Sequence, residues 1–322
     1  MNYRTIVPTL VLMMSMALYT TAMRAATVKL TQGADSIKVE IDGKEFTTYH
    51  FLAGNDKNFL RPFAYPVYAA DGQAVTSDQE VTNPKEHPHH RSFWVAQGSV
   101  NGVDHWANKG HHQRHIGFDK VEGDTIVERL EWEGATPDAP TLLKETRTLR
   151  FFALDDGTRG IDLTVVFTPT KDAVTFGDTK EAGIVAVRMS PEIGNSEKGA
   201  KHRDGVLTNS AGAHGEKAIW GKPADWCDES GMIGGKPYGV AIFDHPDNPR
   251  HPSRWHTREY GLHAANIFGL HDYDPKNTPK GAGDLTLEPG KTLTFKYRVL
   301  FHQGDAASAK LDERYKEWTA GK

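Results

Sequence analysis

Ser36-Ile37-Lys38-Val39-Glu40-Ile41-Asp42-Gly43-Lys44-Glu45-Phe46 alternates apolar with polar side chains up to an Asp-Gly pair, and an apolar residue follows beyond it. Successive side chains of an extended chain point to opposite faces, so Ile37, Val39 and Ile41 share one face. Asp-Gly supplies the positive-φ turn that joins two antiparallel strands. The stretch predicts a hairpin with one buried side. The same pattern recurs at Ile126 to Trp132, Leu149 to Leu154 ahead of Asp155-Asp156-Gly157, Ile161 to Phe167, Ile184 to Met189 and Val240 to Phe243. Beyond the Pro289-Gly290 turn, Leu293, Phe295, Tyr297 and Val299 fall on one face of a further strand. Only from Asp305 does the period change: Leu311, Tyr315 and Trp318 recur at helical spacing and predict one C-terminal amphipathic helix. Strands joined by short turns without intervening helices do not build a parallel sheet. The fold class expected is all-β, a large antiparallel β-sandwich with long loops and one C-terminal helix.

The first residues read differently. Met1-Asn-Tyr-Arg4 precedes an apolar run from Ile6 to Leu18, and small residues follow at Ala25-Ala26. This is the pattern of a secretory signal peptide cleaved near Ala26. A membrane helix usually needs about 20 apolar residues, and this run is shorter and interrupted by Pro8. The division expected is a signal peptide over 1–26 and a single β-sandwich domain over 27–322. Losing residues 1–26 removes Arg4 and Arg24 and no acid, which leaves 36 basic and 42 acidic residues. An acidic balance of that size argues against a nucleic-acid surface. The single cysteine, Cys227, forbids an intrachain disulfide and reads as a small buried apolar residue. Export without disulfides fits a bacterial periplasmic or secreted protein.

Long turn-rich stretches at residues 78–115, 190–235 and 244–280 interrupt the strands, and loops of that length are usually functional or mobile. The first contains seven of the 16 histidines: His87, His89 and His90 with Arg91 and Trp94, His105 beside Asp104 and Trp106, and His111, His112 and His115. Imidazole ionises near neutrality, so such a cluster suits proton transfer, metal ligation or hydrogen bonding to a polyhydroxylated ligand. If the segment is extended, His87, His89 and Arg91 share a face and His90 points away. His87 and His89 are then spaced to hold a divalent metal, although no standard zinc signature is present. The second candidate is Phe176-Gly-Asp-Thr-Lys180-Glu181-Ala-Gly183, where a strand end brings Lys180 or Glu181 to a pocket and a buried glutamate acts as general base. The third is Asp244-His245-Pro-Asp-Asn-Pro-Arg250-His251-Pro252 with Trp255-His256-Thr257-Arg258. Its arginines offer planar forks, Trp255 an apolar plate for a sugar ring, and its three prolines stiffness. No Gly-x-Ser-x-Gly, phosphate-binding loop, His-Glu-x-x-His or dinucleotide fingerprint occurs.

His87-Pro-His-His-Arg-Ser-Phe-Trp94, Asn101-Gly-Val-Asp104 with Trp106, Phe176-Gly-Asp-Thr-Lys-Glu181, Trp226-Cys-Asp228, Phe243-Asp-His-Pro-Asp-Asn-Pro-Arg250, Trp255-His256 and Tyr260-Gly261 together resemble the bacterial family labelled "methane oxygenase PmoA-like", a family of unknown function. More distantly, the chain is similar to galactose-mutarotase-like supersandwiches, through Leu287-Glu-Pro-Gly-Lys-Thr-Leu293 and the strand after it. In those enzymes a histidine acid and a carboxylate base act on a sugar in the concave face of a sheet. That likeness implies His90 or His256 as acid and Glu181 as base. His87, His89, Arg91, Trp94, Lys180, His245, Arg250, Trp255 and Arg258 would then hold a carbohydrate or sugar-acid ligand. The expectation is an exported carbohydrate-active enzyme of hydrolase, lyase or isomerase type. One rival is a noncatalytic glycan-binding module, which has no need of Glu181. The other is the metal-dependent oxidoreductase implied by the family label, with ligands among His87, His89, His111, His112, His245 and His256. No cofactor is assigned, and a divalent metal is the one these histidines would take.

Overall fold

The computed structural model describes residue 1 and residues 26–136, 138–193 and 205–321. The segment read as a signal peptide lies outside the described residues except at its two ends. Two antiparallel sheets are built from strands in chain order: β1 (Val28–Gln32), β2 (Ser36–Ile41), β3 (Lys44–His50), β4 (Phe63–Val67) and β5 (Phe93–Gln97), then β6 (Gln113–Glu122), β7 (Thr125–Trp132), β8 (Leu143–Ala153) and β9 (Arg159–Pro169). After β10 (Val174–Phe176) come β11 (Ala182–Arg188), β12 (Val206–Asn209), β13 (Trp226–Ile233), β14 (Lys236–Asp244), β15 (Leu262–Ala265), β16 (Leu285–Leu287) and β17 (Leu293–Gln303). One sheet runs β1-β2-β3-β4-β5-β11-β15, the other β12-β13-β14-β17-β9-β8-β7-β6, and β10 pairs with β16. The predicted hairpin is there, Ile41 opposite Lys44 across Asp42-Gly43, both of which adopt positive φ.

The alternation behind the prediction is also what makes the core. Ile37, Val39, Phe46 and Tyr49 from the first sheet meet Ile126, Leu149, Phe151, Ile161, Leu163 and Val165 from the second in one cluster of buried side chains. Phe295, Tyr297 and Val299 join them, at no more than 1% exposure each. On the outer face of the second sheet, helix α4 (Leu311–Ala320) lays Leu311, Tyr315 and Trp318 against Trp226, Phe243 and Leu300. Three one-turn helices precede it: α1 (Gln79–Thr82), α2 (Glu216–Ile219) and α3 (Leu270–Tyr273). Among the described residues no helix is long and apolar enough to cross a membrane.

Seven strands were not read from the sequence pattern: β1 and β4 were passed over, and β5, β12, β13, β15 and the start of β6 fall within stretches read as loops. For β5, β13 and β15 the cause is burial on both faces. In β5 and β15 every residue is buried, as are all but one in β13, so no polar face marks a period of two. Loops cover the outer face of β4, β5, β11 and β15, where Phe63, Trp94, Ala96, Trp106, Ala186, Leu262 and Ala264 form a second apolar cluster. The candidate site stands on that cluster.

Candidate functional site

A cavity of about 480 Å³ opens over the outer face of the first sheet, and four separate stretches of chain supply its wall: 87–90, 104–109, 180–181 and 256–260. The first stretch is a turn, where the extended geometry expected from the sequence fails. His87 has φ of 53°, and His90 N–H donates to the His87 carbonyl at 2.9 Å. The chain doubles back, and all three histidines come together. The His87 and His90 rings are stacked at 4.8 Å and 12°, and His89 meets His90 edge-on at 4.5 Å. Tyr260 extends the stack on the His87 side at 5.1 Å, and Trp94 closes it beneath His90 at 5.5 Å. The His87, His90 and Tyr260 rings are nearly parallel and their centroids form a triangle, Tyr260 lying 6.4 Å from His90, and Trp106 and His256 stand beside them, 6.0 Å apart.

Each stretch is held by its neighbours. Residues 254–262 fold back along β15: His256 N–H donates to Ala264 O at 3.0 Å and Arg258 N–H to Leu262 O at 2.8 Å. Asp244, fully buried, accepts from Asn248 Nδ2, His251 Nδ1 and Ser253 N–H at 2.7 Å each, which fixes the approach to this segment. The 180–181 turn is pinned by Asn266 Nδ2, which donates to the carbonyls of Thr179 and Lys180, and by Gly98 N–H on Glu181 O. A Cβ on Gly98 would sit 2.5 Å from that carbonyl oxygen, so only glycine admits the approach.

Burial sets the electrostatics. His89 is pushed down to about 4 by burial and then by the nearby Arg61, and His256 to about 3 by burial, then by Arg258 and Lys180. His90, with 1% exposure, is held well below the usual histidine range for the same first reason. At neutral pH these rings are uncharged, each with one N–H donor and one acceptor nitrogen. Burial raises the Tyr260 phenol to about 12, which keeps it a neutral donor. His90 Nδ1, His256 Nδ1 and Trp106 Nε1 are buried without a hydrogen-bond partner, as is Trp94 Nε1 below them.

Of the residues expected at the site, His87, His89, His90, Lys180, Glu181, His256 and Arg258 line the cavity. Glu181 is not the buried base foreseen: its side chain is 40% exposed, and Lys180 Nζ holds it at 2.8 Å. The acid role of His90 or His256 is also altered, because their burial removes the charged imidazole at neutral pH. Five other residues of the expected set do not line this cavity. Arg91 is a buried strut, its guanidinium on Asp78 at 2.7 Å and Asp56 at 2.6 Å. Trp94 is the floor under His90, with 1% exposure. Trp255 offers no plate to solvent: it is wholly buried, its indole N–H donating to Ala224 O at 3.1 Å. Arg250 donates to the carbonyls of Gly283 and Asp284 at 2.6 Å and clamps two loops together. His245 packs edge-on against Trp318 at 5.0 Å, in a different cavity of about 640 Å³ beneath α4. In that larger cavity Arg298 grips Asp162 through two nitrogens, and Lys296 meets Asp247.

Asp104, Trp106, Lys109 and Tyr260 also line the site without having been singled out individually. The signal was available for two of them, in Asp104-His105-Trp106 and in the tyrosine two residues after Arg258. Of the histidines proposed as metal ligands, His87, His89 and His256 line the cavity and the other three lie elsewhere. His111 lies beside His105, His112 binds Glu133, and His245 is under α4. Among the described residues no three His, Cys, Asp or Glu side chains are grouped so as to hold a metal ion.

A model of a family of unknown function (DUF6807) matches residues 36–316, and the chain belongs to that family. Its description names no activity. No curated protein matches the sequence. Among solved structures, a polysaccharide lyase is similar over 88% of this chain and 33% of its own, at 13% identity and a TM-score of 0.36. A GalM/aldose epimerase homologue from C. elegans is similar over 87% of this chain and 100% of its own, at 8% identity and a TM-score of 0.37. A 4-alpha-glucanotransferase from Thermococcus litoralis is similar over 87% of this chain and 40% of its own, at 11% identity and a TM-score of 0.28. The chain thus spans about a third of the lyase's length.

Proposed function

We propose that this DUF6807 member is an exported protein that binds a carbohydrate in the cavity over β5, β11 and β15, and acts on it by proton transfer. The observation that carries the reading is the set of unpartnered ring nitrogens, His90 Nδ1, His256 Nδ1 and Trp106 Nε1, gathered from three loops around one opening. A buried polar atom left unsatisfied costs about 1–3 kcal/mol, so three in one place call for a ligand rich in donors and acceptors. Sugar hydroxyls are both, and the half-buried Tyr260 ring suits the C–H face of a pyranose.

Glu181 is the base in this reading, and the neutral imidazoles and the Tyr260 phenol are hydrogen-bond donors to the oxygen that gains charge. The cavity dimensions suit a mono- or disaccharide unit. Incubation with a mixed set of neutral and acidic oligosaccharides, followed by mass spectrometry and NMR, is expected to reveal a cleaved, unsaturated or epimerised product. Glu181→Gln is expected to lower that turnover about a hundredfold with binding retained. Unchanged turnover would remove Glu181 as the base. The noncatalytic module is favoured by one feature, the Lys180 clamp on Glu181 at 2.8 Å, and binding without any product would establish it.

A further inference from the structure

Arg61 lies directly behind the cavity with 2% exposure, and its guanidinium meets backbone carbonyls alone. Nη1 donates to His89 O at 3.1 Å, Nη2 donates to Trp106 O at 2.8 Å and reaches Ala107 O at 3.5 Å, and Nε is unpartnered. It therefore ties together two of the stretches that wall the cavity. Among the described residues no carboxylate pairs with it. The acid that acts on it, Asp104, is already held by Lys109 Nζ at 2.9 Å and by the N–H groups of Trp106 and Ala107. Two other deeply buried arginines show the ordinary solution: Arg91 sits on Asp56 and Asp78, and Arg147 on Glu145.

A dry cation without a counter-charge is costly to keep, and removing a partner is among the most damaging changes a core can suffer. Burial, and then Arg91, pull the Arg61 pKa down to about 9, which still leaves it charged at neutral pH. Its field reaches the cavity, since after burial Arg61 is the largest influence on His89. The lining leaves that field unopposed, because Lys109, Lys180 and Arg258 are each paired with a carboxylate of their own, Asp104, Glu181 and Glu216.

We infer that the saccharide bound here is acidic, and that Arg61, positioned behind the 87–90 and 104–107 stretches, sets the preference for a carboxylate-bearing sugar over a neutral one. The inference rests on the carbohydrate reading above. Arg61 touches no ligand; it holds the two stretches in place and supplies the positive potential that a carboxylate neutralises.

The test is calorimetric binding of oligosaccharides of glucuronate, galacturonate and mannuronate, each beside its methyl ester and its neutral aldose counterpart. The ester keeps the shape and removes the charge. At least one acid is expected to bind about tenfold more tightly than its ester, and Arg61→Gln to reduce that ratio below about threefold. Arg61→Lys, which keeps the charge, is expected to retain the preference. Acid and ester bound alike by the wild type overturn the inference and leave the carbohydrate reading standing, and this outcome needs no variant to fold. A folded Arg61→Gln with an undiminished ratio overturns the role of Arg61. Failure of every saccharide to bind overturns both readings.

Discussion

Acidification from about pH 7.5 to about pH 5.5 is expected to remove a few kcal/mol of folding stability, because the fold buries histidines in uncharged form. His105 and His263 are pushed down to about 4 and His256 to about 3, each by burial first, while His89 falls to about 4 and His90 well below its ordinary range. The unfolded chain takes up protons near pH 6.5 and the folded one does not, so the unfolded state binds more protons and stability is lost as the pH is lowered. Across this interval each ring with a folded value of about 3–4 accounts for about 1 kcal/mol. Glu229 acts in the opposite direction. Burial raises it well above the carboxylate range, so the folded state holds its proton to higher pH and acidification favours folding. Of the two smaller contributors, His50 follows the histidines and Asp78 follows Glu229. Urea denaturation at the two pH values reads the difference. Equal stabilities would show that these rings are protonated in the fold. His263→Gln, which keeps a polar side chain between Thr257 and the Cys227 carbonyl, should flatten the slope by one proton.

The histidines also show what the sequence could and could not disclose. Periodicity of two was enough for the sandwich wherever one face is core and the other water, as in β2, β8, β9 and β17. It failed in β5, β13 and β15, where loops or the second sheet cover both faces, and a long-range packing partner leaves no mark on local composition. At the site, residue type and clustering located His87, His89, His90, Glu181 and His256. What they could not give is depth. Arg91, Trp94, Arg250 and Trp255 have the chemistry of ligand-binding groups, and the fold spends all four on its own loops and core. His263 runs the other way: a histidine in an apolar strand, fully buried and satisfied at both nitrogens by Thr257 and the Cys227 carbonyl. Arg61 stands alone in the sequence and draws its meaning only from the two turns that close over it.

Arg91→Met is expected to cost about 3–5 kcal/mol at neutral pH, as large an effect as any single substitution around the site, although Arg91 does not line the cavity. Its Nε meets Asp78 Oδ1 at 2.7 Å and its Nη2 meets Asp56 Oδ2 at 2.6 Å, with the guanidinium 4.0 Å above the Phe63 ring. Asp78 is 2% exposed at its side chain, and it also caps α1 by accepting from Glu80 N–H. Methionine fills the space and leaves that carboxylate buried without its cation, whereas Asp56, 25% exposed, returns to water. Burial already raises the Asp78 pKa against the pull of Arg91, so without the arginine the group takes a proton more readily. A protonated acid needs no counter-charge, and the deficit relative to wild type should therefore shrink as the pH falls from about 7 to about 5. Paired denaturation curves of wild type and Arg91→Met test both statements. A deficit below about 1 kcal/mol at neutral pH would mean that Asp78 is hydrated, and a deficit independent of pH would mean that the loss is packing against Phe63 and not charge.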